Sequence, residues 1–153
     1  MKLFVLKNPK ASENAAVTDY IECDGSAIGD APRCPVCNGF IGMMPLIPPI
    51  RLEIKSWGFA WGDIAFGTGM QILVSEKLKS QFLAEGLDGI TRFDSVEIVR
   101  AKRNKSVETT FPTYYLASIK ISRAAIDELS SGLVRDETLV CNECRVGRVI
   151  KRI

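Results

Sequence analysis

Arg33-Cys34-Pro35-Val36-Cys37-Asn38-Gly39 is the first of two stretches around which the chain is organised. The second is Cys141-Asn142-Glu143-Cys144-Arg145-Val146-Gly147. Each is a Cys-x-x-Cys pair followed within three residues by glycine. Zinc takes four tetrahedral ligands, and thiolates at about 2.3 Å suit it. The two stretches therefore read as halves of one four-cysteine zinc site built from Cys34, Cys37, Cys141 and Cys144. Gly39 and Gly147 are the residues expected at positive φ, turning backbone amides toward the sulfurs. Arg33, Arg145 and Arg148 are expected to balance a site whose four thiolates outweigh the charge of the metal.

Most of the chain, residues 38–140, lies between the two pairs, whereas in a simple zinc ribbon they are close together. The expectation is a single domain, residues 1–153, with a split ribbon. A knuckle at 31–42 and a knuckle at 138–150 form the metal site, and an α/β body at 48–130 is inserted between them. Other readings of the same cysteines are buried free thiols, a redox pair, or a metal shared between chains. The redox reading lacks a thioredoxin-like βαβ context around either pair. Four cysteines close the coordination shell and leave no position for water or substrate, so the zinc is read as structural. Cys23 stands apart from both pairs and is read as a buried thiol.

The chain contains no histidine. That removes Ser-His-Asp and Cys-His catalysis and histidine-ligated metals at once. No pair of carboxylates has a spacing that marks a catalytic dyad, and the chain is read as a non-enzyme. The formal net charge is +2. Four thiolates and one Zn²⁺ bring it near neutral, which argues against nucleic-acid binding driven by overall charge. The hydrophobic share is 46%, enough to build a core and to argue against global disorder. No apolar run approaches the roughly 18–20 residues of a membrane span. The apolar run after Lys2 is too short for the core of a signal peptide, so a cytoplasmic protein is expected.

Periodicity supplies the remaining elements. Ile50, Leu52 and Ile54 alternate with Arg51, Glu53 and Lys55, which predicts a strand with one wet face. Lys2–Leu6, Gln71–Val74, Ser95–Ala101, Tyr114–Ile121 and Arg148–Ile153 also read as strands. Residues 16–23 fit a strand or a short helix. In 95–101, Val96, Ile98 and Arg100 are placed on one face, with Glu97, Val99 and Ala101 on the other. Ser75 fits a helix N-cap, with Glu76 in the first turn and Gly86 just beyond the end. Leu78, Phe82 and Leu83 are expected on its inner face. A second helix is expected after Ser122, with Ala125, Ile126 and Leu129 inward. Trp57 to Gly69 carries four glycines among five large apolar residues and reads as an irregular loop. The fold class is α+β, mainly antiparallel strands with one or two helices, its N- and C-terminal parts joined by the zinc ribbon.

Within that loop, Trp57, Trp61 and Asp63 are candidate partner-binding residues, since tryptophan is favoured at binding hot spots. The competing roles are core packing for the aromatics and turn capping for Asp63. Gly67-Thr68-Gly69 lacks the context of a phosphate loop and is read as a turn. Lys102-Arg103-Asn104-Lys105 is read as a solvated basic turn.

Cys34-Pro35-Val36-Cys37-Asn38-Gly39 and Cys141-Asn142-Glu143-Cys144-Arg145 resemble the double-CXXCG-motif proteins of myxobacteria. The Gly62-Asp63-Ile64 turn and the Ile72-Leu73-Val74-Ser75 strand-to-helix step are also similar to that group. The resemblance extends over residues 30–150. Members of this kind are associated with immunity to toxins used in contact-dependent competition and kin discrimination. The resemblance implies a protein that binds and neutralises a cognate toxin, such as a nuclease, in the producing cell. The alternative class is a zinc-ribbon nucleic-acid-binding or regulatory protein, which predicts salt-dependent affinity for DNA or RNA.

Overall fold

The structure is a computed structural model. It describes residues 16–23, 27–42, 44–67, 71–104, 106–120, 127, 129–130, 132, 134–135, 141, 143–144 and 150–152. Two compact units are present. One comprises Met1–Ala27 and Leu46–Lys120, and the other Ile28–Pro45 and Ile121–Ile153.

The first unit contains a closed barrel. Its strands are β1 (Thr18–Glu22), β4 (Ile50–Ser56), β5 (Ile64–Phe66), β6 (Ile72–Ser75), β7 (Ile90–Arg103) and β9 (Tyr114–Ile119). The hydrogen-bonded order is β4-β1-β5-β6-β9-β7, and β7 pairs back onto β4. Four of these six pairings are antiparallel, and the β1–β5 and β4–β7 pairings are parallel. A parallel pair needs a long crossover. For β4 and β7 that crossover contains β5, β6 and the helix α1 (Glu76–Ala84). The hairpin strand β8 (Ser106–Val107) extends β7, and β2 (Ala27–Ile28) and β3 (Leu46–Ile47) form a separate two-stranded sheet.

Alternation along β4 works as expected. Ile50, Leu52 and Ile54 are buried in the core, beside Tyr20, Leu73, Tyr114 and Leu116. Residues 16–23 contain a strand rather than a helix. Tyr20 points inward, and Ile21, its neighbour, is exposed on the outer face.

β7 departs from the simple alternation. Leu52 pairs with Ile98 but Glu53 pairs with Arg100, so Val99 is the extra residue of a bulge. A bulge shifts the facing of everything beyond it. Ala101, expected outside, is therefore buried, and Arg100, expected with Val96 and Ile98, is exposed. The strand, Ile90–Arg103, is also longer at both ends than the expected Ser95–Ala101. Residues 90–95 pair with β9, and residues 96–103 run beside β4. This hand-over from one neighbour to the other closes the barrel.

The loop expected over Trp57–Gly69 is interrupted by β5. Ile64, Ala65 and Phe66 pair with β6 on one side, and β1 pairs with Ala65 and Phe66 on the other. Glycine bounds this strand at both ends because the backbone there meets other groups. A Cβ on Gly62 would lie well under 3.0 Å from the carbonyl oxygen of Ala16, and one on Gly67 would enter the ring of Tyr20. Gly62 is also held on both polar groups. Its N–H donates to Thr18 Oγ1 at 2.8 Å, and its carbonyl accepts from the Tyr114 hydroxyl at 2.6 Å.

The α1 start follows its sequence signals. Ser75 Oγ accepts from the Leu78 N–H at 3.1 Å, and Gly86 takes φ +62° just past the end. The helix lies over the outer face of β6, β9 and β7. Phe82 meets Phe93 edge-on at 5.9 Å, and the Lys79 ammonium sits 3.5 Å from the centre of the Tyr115 ring. Leu83 is not on the inner face as expected, because it is 58% exposed. Of its large apolar side chains, this nine-residue helix on a convex barrel presents only Leu78 and Phe82 to the strands.

The second unit contains the first knuckle and a short antiparallel sheet, β10 (Val134–Arg135) with β11 (Ile150–Arg152). The second helix expected after Ser122 falls largely outside the described residues. Leu129, expected inward, is 93% exposed in a turn that the Asp127 carboxylate caps through Ser130. The expected strand at Lys2–Leu6 also lies outside the described residues. Among the described residues no helix is long and apolar enough to cross a membrane.

Candidate metal centre

The first knuckle is shaped by backbone hydrogen bonds that return the chain on itself. The Asn38 N–H donates to the Cys34 carbonyl at 2.9 Å, and the Cys34 N–H donates to the Gly39 carbonyl at 2.8 Å. Arg33 and Phe40 close the loop as an antiparallel bridge. Outside it, the Ile41 N–H donates to the Pro32 carbonyl at 2.9 Å. This geometry holds Cys34 and Cys37 on one side of a tight turn.

The residue that takes positive φ is Asn38, at +58°, and not Gly39 as expected. Asparagine tolerates the left-handed region better than most side chains. The turn therefore reverses one residue earlier. Gly39 serves the sulfur differently, with its N–H 3.4 Å from Cys37 Sγ. The Asn38 that follows Cys37 directly is the sequence signal that locates this reversal. Gly147 lies outside the described residues.

Cys34 and Cys141 are buried, and Cys37 and Cys144 are half-buried. Their four sulfurs all lie within 4.8 Å of one another. Cys34 Sγ is 3.9 Å from Cys141 Sγ, and Cys37 Sγ is 3.5 Å from Cys144 Sγ. Those separations are far beyond a disulfide bond of about 2.05 Å. A tetrahedron with metal–sulfur bonds of about 2.3 Å has edges of about 3.8 Å, and the two distances fall on either side of that value. The four cysteines thus lie within metal-binding distance of one another. The donor set is uniformly soft, which suits thiophilic metal ions.

Electrostatics in the knuckle favour the thiolate. The backbone N–H groups of Cys37 and Val36 hold the Cys34 thiol down at about 7, against burial, which pushes it up. Hydrogen bonds to the charged form act in this direction. They bring thiol and thiolate into near balance at neutral pH, which eases the deprotonation a metal ligand needs.

The expected arginine neighbours differ from this picture in one respect. Arg33 Nη1 donates to the Asn38 carbonyl at 3.0 Å, and its guanidinium lies 4.0 Å from the centre of the Phe40 ring. It braces the knuckle loop and packs on an aromatic face. Arg145 and Arg148 lie outside the described residues. Cys23 is half-buried and outside the sulfur cluster. Its N–H donates to the Arg51 carbonyl at 3.0 Å.

The three candidate partner-binding residues have three different settings. Trp57 is 41% exposed, and its Nε1 donates to Asp19 Oδ2 at 3.1 Å. Trp61 packs against the barrel core, edge-on to Phe111 at 6.3 Å. Asp63 accepts from Ser75 Oγ at 2.6 Å and from Lys77 Nζ at 3.2 Å. Those contacts hold its carboxyl below the ordinary carboxylate value, the Ser75 hydrogen bond contributing most. The most exposed large apolar side chain of the segment is Phe59, at 72%, inside the same aromatic stretch but not one of the three candidates. An aromatic between Gly58 and Ala60 gives no pattern that separates core from surface.

No protein-family model, no curated protein and no solved structure matches this chain.

Proposed function

We propose that this protein is an immunity protein that binds and neutralises a cognate antibacterial toxin in the cytoplasm of the producing cell, and that its zinc is structural. The observation that carries the reading is the gathering of Cys34, Cys37, Cys141 and Cys144 into one sulfur cluster. These are the residues on which the resemblance to the double-CXXCG-motif proteins rests. Four thiolates complete the coordination shell of zinc, so the metal would have no open position for substrate or water. A chain without histidine, closed on its metal, is suited to binding rather than to catalysis. The zinc would join residues near 35 to residues near 143 and stabilise the surrounding fold on the order of 10 kcal/mol.

Two measurements test the proposal. Metal analysis of the purified chain is expected to give one zinc per molecule, lost in Cys34→Ser. Co-expression with the product of the adjacent reading frame is expected to restore growth that the product alone arrests. Arrest that persists in the presence of this protein, with the two purified chains failing to bind, would overturn the immunity reading.

A further inference from the structure

The segment after β4 combines exposure with immobility. Phe59 is 72% exposed and Trp57 41% exposed, yet the backbone that carries them is pinned at almost every residue. The Trp57 N–H donates to the Val17 carbonyl at 3.0 Å. Gly58 accepts at its carbonyl from Asn104 Nδ2 at 3.2 Å, and Phe59 accepts at its carbonyl from Arg103 Nη1 at 2.6 Å. The Ala60 carbonyl accepts from Ser56 Oγ at 2.8 Å, and Ser56 is completely buried. The Asn104 N–H donates to the Ser56 carbonyl at 3.2 Å, tying the β7–β8 turn to the same segment.

A protruding apolar side chain on a loose loop needs no explanation. One on a clamped loop has already lost most of the freedom that binding would remove, which is the condition for a preorganised anchor. The charge beside it has one dominant sign. Lys55 and Lys102 are register partners on β4 and β7, and neither has a carboxylate partner among the described residues. Arg103 adds a third cation, joined to Glu108 at 3.1 Å. The acid on the other side of Lys55, Asp19, is engaged by Trp57.

The geometry points to Phe59 and Trp57, rimmed by Lys55 and Lys102, as the docking surface for an acidic protein partner that offers an apolar pocket. The inference rests on reading the chain as a binding protein, and it gives the chemistry that the toxin's contact face would have. Single-stranded nucleic acid is the other class of ligand that aromatics and cations together attract. It fits less well. The Lys55 ammonium lies 3.4 Å from the centre of the Trp57 ring, so one stacking face is taken.

The test uses the full zinc-loaded chain and three variants: Phe59→Ala, the pair Lys55→Glu with Lys102→Glu, and Leu83→Ala on the exposed face of α1 as a control. Unchanged zinc content and melting temperature show that each is folded. A random-peptide phage library is selected on the wild-type chain with Phe59→Ala as counter-selection. The expected consensus is an apolar residue flanked by acids. Peptides chosen by this selection should bind Phe59→Ala about thirtyfold more weakly or worse. On the double charge-reversal variant they should bind more weakly at low salt, with the salt dependence reversed in sign, and they should bind Leu83→Ala unchanged. No enrichment over Phe59→Ala, or a consensus without acids, overturns the surface. Binding of oligothymidylate at low salt that Phe59→Ala abolishes overturns it in favour of nucleic acid. The adjacent-frame product is titrated in parallel. If it binds wild type and all variants equally, the surface falls and the immunity reading stands. If it fails to bind while acidic peptides are selected, the immunity reading falls and the surface stands.

Discussion

Metal removal should affect the two units unequally. The barrel has its own apolar core, from Tyr20 and Ile50 through Leu73 to Leu116. In the unit of Ile28–Pro45 and Ile121–Ile153, the buried side chains among the described residues are Ala31, Cys34 and Cys141. One alanine methyl is worth about 0.8 kcal/mol on burial. Fixing the backbone of each residue costs about 1–2 kcal/mol. With the proposed zinc on four thiolates, on the order of 10 kcal/mol, the metal would outweigh the burial contributed by the described residues of that unit. At about 1.4 kcal/mol per tenfold change, losing it shifts the local folding equilibrium by about seven orders of magnitude.

Hydrogen exchange on the intact chain, with and without a zinc chelator, reads this directly. Amides of residues 31–41 that are bonded within the knuckle, such as those of Cys34, Asn38 and Ile41, should lose protection. Amides of β4, β6 and β9 should keep theirs. Cys141→Ser should reproduce the pattern without chelator. Equal protection of the knuckle with and without zinc would refute the reasoning. So would simultaneous collapse of the barrel, since its core would then not stand alone.

Three further predictions concern the barrel. Gly67→Ala forces a methyl into the Tyr20 ring and should cost about 2 kcal/mol in urea denaturation. In a Tyr20→Leu background, where the ring tip is gone, most of that cost should vanish in the double-mutant cycle. Tyr114→Phe leaves the buried Gly62 carbonyl without its hydroxyl donor and should lower stability by about 1–2 kcal/mol with an unchanged denaturant slope. Ser75→Ala removes both the helix cap and a hydrogen bond to Asp63, costing about 1–2 kcal/mol at neutral pH. The Asp63 pKa is lowered below its ordinary 3.8 in the folded state, so its contribution is present above that value. It is lost as pH falls through the folded-state pKa. The urea midpoint of Ser75→Ala should therefore fall less steeply than that of wild type in this acid range.

The elements legible before the structure were those with a local cause. Ile50, Leu52 and Ile54 alternate along one strand, and Ser75, Glu76 and Gly86 bound one helix. Each rests on residues a few positions apart. The places where expectation and structure differ are set by distant neighbours. Ala101 faces inward because Val99 bulges against Leu52 and Glu53. β5 is a strand because β1 and β6 lie on either side of it, although its glycine-rich flanks read as loop. Leu83 is exposed because α1 rests on a curved surface that reaches only two of its apolar residues.

The two Cys-x-x-Cys pairs were evident from spacing alone, since a metal knuckle is itself a local structure. Sequence by itself determined the donor set, the absence of histidine chemistry, the wet face of β4 and the start of α1. Only tertiary structure decided that the four sulfurs meet, with 3.5 and 3.9 Å across two of their pairs. It also decided that the strands close into a barrel, and that Phe59 rather than Trp61 stands out from the surface. Each of those outcomes depends on residues separated by tens of positions, whose approach is settled by the packing of the core and leaves no periodicity along the chain.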